Sequence, residues 1–464
     1  MSGKEPSASE RTALLGTQRI PRLLFRLSAP AITGMLVNSL YNLVDTIFVG
    51  QGVGTNALAA LAVCFPIQIF MLAVAQTVGI GSASIISRAL GAGDREKAEQ
   101  VAGSSFAVTT TLALVIMISG TVFLTPLLRL FGANGNVIPY GRDYLSVILL
   151  GGVFFANSVC SNNLVRSEGN ARTAMLSMVV GAGTNILLDP VFIFGLGMGI
   201  RGAAVATVIA QTCSFTYLML HFARGKSHVR IRRRNFVPKL STTTEVLRIG
   251  SASFARVFAG SLLAIVMNNA IMHFGQEMHL AVLGVVNRIV TFSMMPIFGL
   301  VQGLQPIVGY NYGSGAYGRV RHALGYACIV ATAIVTAMFL VLETVPGLVL
   351  GIFSRDRALI ADGAPILRTI VAMSPLVGFQ LVAASMFQAL GKAGRALFIS
   401  TSRQVLFLIP LVLLLPRHIS PPLNGVWTAA PVADFLSAVV TGLIFLGELR
   451  RMRERGKGIR IPLI

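Results

Sequence analysis

ALAALAVCFPIQIFMLAVAQTVGIGSASII, residues 57 to 86, runs through thirty positions without a charged side chain. A helix crossing the hydrocarbon core of a bilayer needs about 20 such residues. Apolar side chains do not alternate with polar ones here as they would on a lipid-facing strand, so the run is read as a membrane helix and not as part of a barrel. Comparable runs occur at 28 to 50, 101 to 126, 140 to 165, 173 to 195, 202 to 222, 246 to 274, 280 to 308, 323 to 350, 365 to 390, 396 to 416 and 425 to 447. Twelve transmembrane helices are predicted. Composition agrees: 54% of the 464 residues are hydrophobic and 12% charged, against about 25% charged in soluble chains. No stretch is left that is polar and long enough to form a soluble domain.

The net charge of +21, from 38 Lys and Arg against 17 Asp and Glu, would suggest nucleic acid in a soluble protein. In a membrane protein the cations must first be sorted by loop. Most fall on one side: Lys4, Arg11, Arg19, Arg22 and Arg26, the run from Arg224 to Arg248 that includes Arg230, Arg232, Arg233 and Arg234, and the tail from Arg450 to Arg460. That side is predicted to be cytoplasmic, with both termini on it, in the inner or plasma membrane. The basic character then needs no nucleic-acid partner. Residues 1 to 27 are too polar for a signal-peptide core, so the first helix is expected to remain as an anchor. The cysteines Cys64, Cys160, Cys213 and Cys328 lie in apolar runs without CxxC spacing, and neither disulfide nor metal is expected.

An internal repeat sets the architecture. ALAALAVCFPI from Ala57 recurs as HLAVLGVVNRI from His279, GAGD at Gly91 as GSGA at Gly313, and LLRLF ending at Phe131 as LGIF ending at Phe353. EGNAR around Gly169 matches LGKAGR around Gly391, and RGAA at Gly202 matches NGVW at Gly425. The shift is 222 residues throughout, 223 at the last pair. Six helices per half return the chain to its starting side, which makes the halves parallel copies about an axis normal to the membrane. The expected organisation is a cytoplasmic segment (1 to 27), an N-terminal lobe (28 to 223), a basic linker (224 to 245), a C-terminal lobe (246 to 449) and a basic tail (450 to 464). A central cleft between the lobes follows, with alternating access as its mode of action.

A carboxylate at the bilayer centre costs at least about 2.5 kcal/mol, so each one there asks for a function. Asn38, Asn42 and Asp45 share a face of the first helix, with Tyr41 beside them. Asn185 and Asp189 are one turn apart on the fifth helix, and Thr207 and Gln211 on the sixth. Carboxylate and carbonyl-type oxygens suit a hard cation such as Na⁺, while two neighbouring carboxylates can share a proton; either ion fits as coupling species. Pro190 also releases the carbonyl of Ile186 from its helix bond. Arg256, Arg288, Arg403, Glu343 and Asp434 in the second half either form ion pairs or snorkel.

No enzyme signature survives inspection. Gly313, Gly315 and Gly318 spell GxGxxG but follow an apolar helix, Gly225-Lys226-Ser227 lacks the upstream glycine of a phosphate loop, and neither HExxH nor GxSxG occurs. Catalysis and a bound cofactor are therefore not expected.

LYNLVDTIFVG from Leu40, GSASIISRALGAGD from Gly81 and LLDPVFIFGLGMGIRGAAVATVIAQ from Leu187 closely resemble the multidrug and toxic compound extrusion (MATE) family, over nearly the whole chain from Arg26 to Leu449. The resemblance implies a twelve-helix antiporter that exports amphipathic or cationic small molecules in exchange for Na⁺ or H⁺; a monomer is expected. By motif position it assigns ion coupling to Asp45, Asn185, Asp189 and Thr207, with Asn38, Tyr41, Asn42 and Gln211 as a supporting polar face, and a hinge to Pro30 in the first helix. The branch typified by norfloxacin exporters carries acids in the seventh and tenth helices; here neither interior has one. The sequence thus looks nearer the DNA-damage-inducible branch and its bacterial multidrug relatives. The alternative within the superfamily is a lipid-linked saccharide flippase, and the sign of the charge lining the cleft separates the two.

Overall fold

The computed structural model describes residues 8 to 458; Lys4 and the end of the basic tail at Arg460 lie outside them. A short helix, α1 (Ala8–Thr17), precedes the first lobe, which comprises α2 (Ile20–Gly52), α3 (Thr55–Gly91), α4 (Arg95–Val122), the short α5 (Leu124–Leu130), α6 (Ile138–Ser167), α7 (Ala171–Pro190) and α8 (Gly199–Ala223). The second lobe repeats this order with α9 (Leu240–Phe274), α10 (Glu277–Gly313), α11 (Tyr317–Thr344), the short α12 (Pro346–Phe353), α13 (Arg357–Val371), α14 (Ser374–Ala389), α15 (Ala393–Thr401), α16 (Ile409–Leu414) and α17 (Pro422–Gly458). Eleven helices are long and apolar enough to cross a membrane, and α13 with α14, bent by 48° at their break, completes twelve spans.

The repeat is visible helix by helix. α10 begins and ends 222 residues after α3, and α11 does so after α4. The turns that follow match as well: Gly93 (φ +78°) pairs with Gly315 (φ +74°), and Gly169 (φ +83°) with Gly391 (φ +72°). Only glycine adopts this left-handed backbone without strain, which is why these positions stand out as sequence landmarks. Even the departures from α geometry correspond, since a π turn, Val191–Gly195, follows α7 and a π segment, Ser402–Leu408, follows α15.

The lobes touch mainly along α2 and α3 on one side and α9, α10 and α14 on the other, and the close backbone contacts lie in the half nearer the termini. A Cβ on Gly81 would strike the Val246 carbonyl, one on Gly250 that of Thr77, one on Gly91 that of Tyr310, and one on Gly313 that of Arg88. Backbones approach this closely only where side chains are missing. Ser84 Oγ donates across the seam to the Gln388 carbonyl at 2.6 Å, and Glu245 meets Arg88 at 3.2 Å and Lys97 at 3.5 Å. Toward the other face the same helices expose Asn42, Thr46, Phe70, Arg288 and Phe292, so the cleft opens away from the termini.

Several boundaries differ from the sequence expectation, and the expected spans at 101 to 126 and 323 to 350 break before α5 and α12. The first span begins at Ile20 and not near residue 28, because Ile20, Leu23, Leu24 and Leu27 are buried at helical spacing while the intervening Arg22 and Arg26 lower the local hydropathy. Residues 8 to 17, read as part of a polar segment, form α1, whose Leu15 is buried against Gly169 and whose Leu15 carbonyl accepts from Asn311 Nδ2 at 2.8 Å. The basic linker ends at Lys239, and the expected span at 365 to 390 is broken before Ser374-Pro375. Pro375 lacks the N–H needed to continue a helix.

Candidate functional site

The two intramembrane acids of the first lobe meet. Asp189 sits at the end of α7, fully buried, and its carboxylate lies against that of Asp45 from α2. One turn back, Asn185 Nδ2 donates to Asp189 Oδ1 at 3.2 Å and to Thr207 Oγ1 of α8 at 3.3 Å. Pro190 closes α7 and the π turn follows, so this end of the helix presents irregular backbone next to the acids. The structure therefore unites Asp45, Asn185, Asp189 and Thr207 in one cluster inside the lobe.

Three oxygens of this cluster, Asp45 Oδ1, Asp189 Oδ2 and Asn185 Oδ1, are buried and accept no hydrogen bond. Buried acceptors rarely stay unpaired, because each costs about 1 to 3 kcal/mol. A proton shared by the carboxylates, or a Na⁺ among the oxygens, satisfies them.

The supporting residues divide. Tyr41 faces both acids. Asn42 Nδ2 donates to the Asn38 carbonyl one turn back at 2.7 Å, and its side chain is exposed toward the cleft. Gln211 is half-buried on α8, and α2 runs through Pro30 as a continuous helix. Two residues were missed in the sequence: Tyr144 of α6 faces Asp45 and Tyr41, and Gln68 of α3 donates to its hydroxyl at 3.0 Å. Each stands among other polar side chains of its run, Gln76 and Thr77 after Gln68 and Tyr140 one turn before Tyr144, so the sequence did not set it apart.

In the second lobe Arg403 of the π segment pairs with Asp434 of α17, whose backbone carbonyl also accepts from Gln380 Nε2 at 2.9 Å. Of the two readings left by the sequence, ion pair or snorkel, these two residues adopt the first. Near the termini, Glu168 accepts from Ser227 Oγ at 2.6 Å and from the amides of His228 and Val229 at 2.9 and 3.4 Å, and burial pushes its carboxyl up to about 7. The basic linker is thereby docked on the first lobe.

Two parallel six-helix lobes, a cleft between them and a buried acidic cluster in one lobe define a multi-pass membrane transporter. The MatE family model matches residues 30–191 and again 252–414, one match per lobe, and the chain belongs to that family. It is similar to the multidrug export protein MepA of Staphylococcus aureus, 25% identical over 423 residues that cover 91% of this chain and 93% of that protein. Among solved structures it resembles a MATE crystal structure in the bent conformation (TM-score 0.91, 28% identity, 97% of this chain and 99% of that one). It also resembles the outward-facing conformation of a multidrug resistance MATE family transporter (TM-score 0.90, 29% identity, 95% and 98%).

Proposed function

We propose that this chain is a secondary active multidrug antiporter, which exports amphipathic or cationic small molecules in exchange for H⁺ or Na⁺ by alternating access. The observation that carries the reading is the cluster of Asp45, Asp189 and Asn185, with three buried oxygens left free to take an ion. MepA, similar over nine-tenths of the chain, is a multidrug exporter, which supports the substrate class. The lobes expected at 28 to 223 and 246 to 449 are assigned with their first helices extended back to Ile20 and Leu240, which leaves the linker at 224 to 239. Both termini are placed in the cytoplasm of a cell whose plasma membrane holds the protein as a monomer; the cleft then faces outward. The similarity to MepA, a multidrug export protein, favours this reading over a flippase for lipid-linked saccharides.

Coupling works by competition. With the cluster deprotonated, two buried carboxylates repel each other, and binding of an ion from outside relieves that repulsion and frees the substrate to leave. The test is export of ethidium from proteoliposomes under a pH gradient or a Na⁺ gradient, applied separately. Export driven by one of them is expected, and none under either would overturn the antiporter reading.

A further inference from the structure

Arg288 lies eleven residues into α10, has an exposed side chain and makes no hydrogen bond or ion pair with any described residue. Its direction follows from helical phase. The face of α10 that meets the first lobe is marked by Gly299 against Ile32 and Gly303 against Ser28. Eleven residues are three turns plus about 20°, so Arg288 extends the face of Gly299. The lobe-interior face, about a quarter-turn round the helix from it, runs through Val282, Val286, Ile289, Ser293, Ile297 and Leu300, so Pro296 does not break the phase.

The register also gives the depth. α2 and α10 are antiparallel, since a step from Ser28 to Ile32 is matched by one from Gly303 back to Gly299. Three further turns along both helices set Arg288 opposite Leu43, two residues from Asp45. At that level the lobes have parted: Leu43 is 57% exposed and Phe292, one turn below Arg288, is 46% exposed. Below them Phe70 of α3 and Phe254 of α9 meet edge to face across the lobes at 6.0 Å, forming an aromatic floor. No acid accompanies Arg288 on its own wall: α10 carries only Glu277 at its first residue, and Glu245 near the start of α9 is engaged by Arg88 and Lys97 at the terminal face. The cleft is therefore polar across its width, with carboxylates behind one wall and a free guanidinium on the other.

We propose that Arg288 recognises an anionic group of the substrate, so that zwitterionic aromatic amphiphiles carrying a carboxylate are favoured among the cargo. The guanidinium fork matches a carboxylate, the aromatic floor takes a flat ring system, and the acidic lobe takes the cationic end. This rests on the exporter reading above and adds the substrate's second charge.

The test uses two dyes with one ring system, rhodamine B, which carries a free carboxylate, and its ethyl ester, which does not. Binding is read by fluorescence anisotropy on the full chain in lipid nanodiscs. Arg288→Gln should weaken rhodamine B by about tenfold or more and leave the ester within about twofold. Arg288→Lys should keep part of the preference, because it keeps the charge and loses the fork. Equal losses for both dyes, or no loss for either, would overturn the assignment. Wild-type protein that binds rhodamine B selectively but exports neither dye under any ion gradient would instead overturn the exporter reading and leave the role of Arg288 standing.

Discussion

Among the described residues, Asp45 and Asp189 differ from every other acid in facing each other inside a span. Asparagine keeps the volume of either side chain but cannot exchange a proton or carry charge to a cation. Asp45→Asn and Asp189→Asn are each expected to reduce gradient-driven export to background at normal expression, measured as dye efflux from energised vesicles. Export that persists in both would remove the first-lobe mechanism. Asp434 makes the contrast, being held by Arg403 and remote from a second acid. Asp434→Asn should export nearly as well but melt earlier, since it strands a buried cation at a cost of up to about 3 kcal/mol, the low end for a broken buried pair because a third of Arg403 stays exposed. Asp45, Asn185, Asp189 and Thr207 were legible from their spacing, because intramembrane polar groups on one helical face must find each other. Tyr144 and Gln68 were not, because they stand among other uncharged polar side chains of α6 and α3 and are told apart only when helices from distant parts of the chain come together.

At the scale of elements, the glycines of α3, α9 and α10 decide how closely the lobes can seal. Gly250→Ala places a methyl group on the Thr77 carbonyl, and neither backbone can yield without moving a whole helix. The substitution should shift the population toward a state open at the terminal face, read as a longer distance between spin labels across the seam, and should slow export. Gly325→Ala, on α11 with nothing within 4 Å, is the control and should change neither. Helix existence and order were readable because hydrophobic length is a strong signal, and the 222-residue register was readable because left-handed glycine turns cannot drift. α1 was hidden because its stability comes from tertiary contacts, Thr12 Oγ1 on the Glu168 carbonyl and Asn311 on the Leu15 carbonyl, and not from its own composition. Leu15→Ala should therefore loosen α1 selectively, giving faster amide exchange over residues 8 to 17 while the spans stay protected.

Across the whole molecule, two lobes of the same topology carry different chemistry: a pair of facing acids in the first, an acid locked to an arginine in the second. On the proposed antiport mechanism, the repeat would supply the symmetry for the lobes to rock and the broken symmetry would confine the exchangeable charge to one of them. Which membrane face each end of the cleft meets is set by the basic residues, since the linker and the terminal ends of the helices hold most of them on one side. Orientation and conformation can be tested together in a cysteine-free background. Lys226, exposed on the linker, suits a label, whereas its neighbour Ser227 is buried on Glu168 and would react with nothing. Thr46 is exposed on α2 beyond the seam, on the open side of the cleft. An impermeant maleimide added to intact cells should label Thr46→Cys and spare Lys226→Cys, and permeabilisation should expose the second. The reverse pattern would invert the topology, while protection of both before permeabilisation would mean that the lobes rest closed toward the outside.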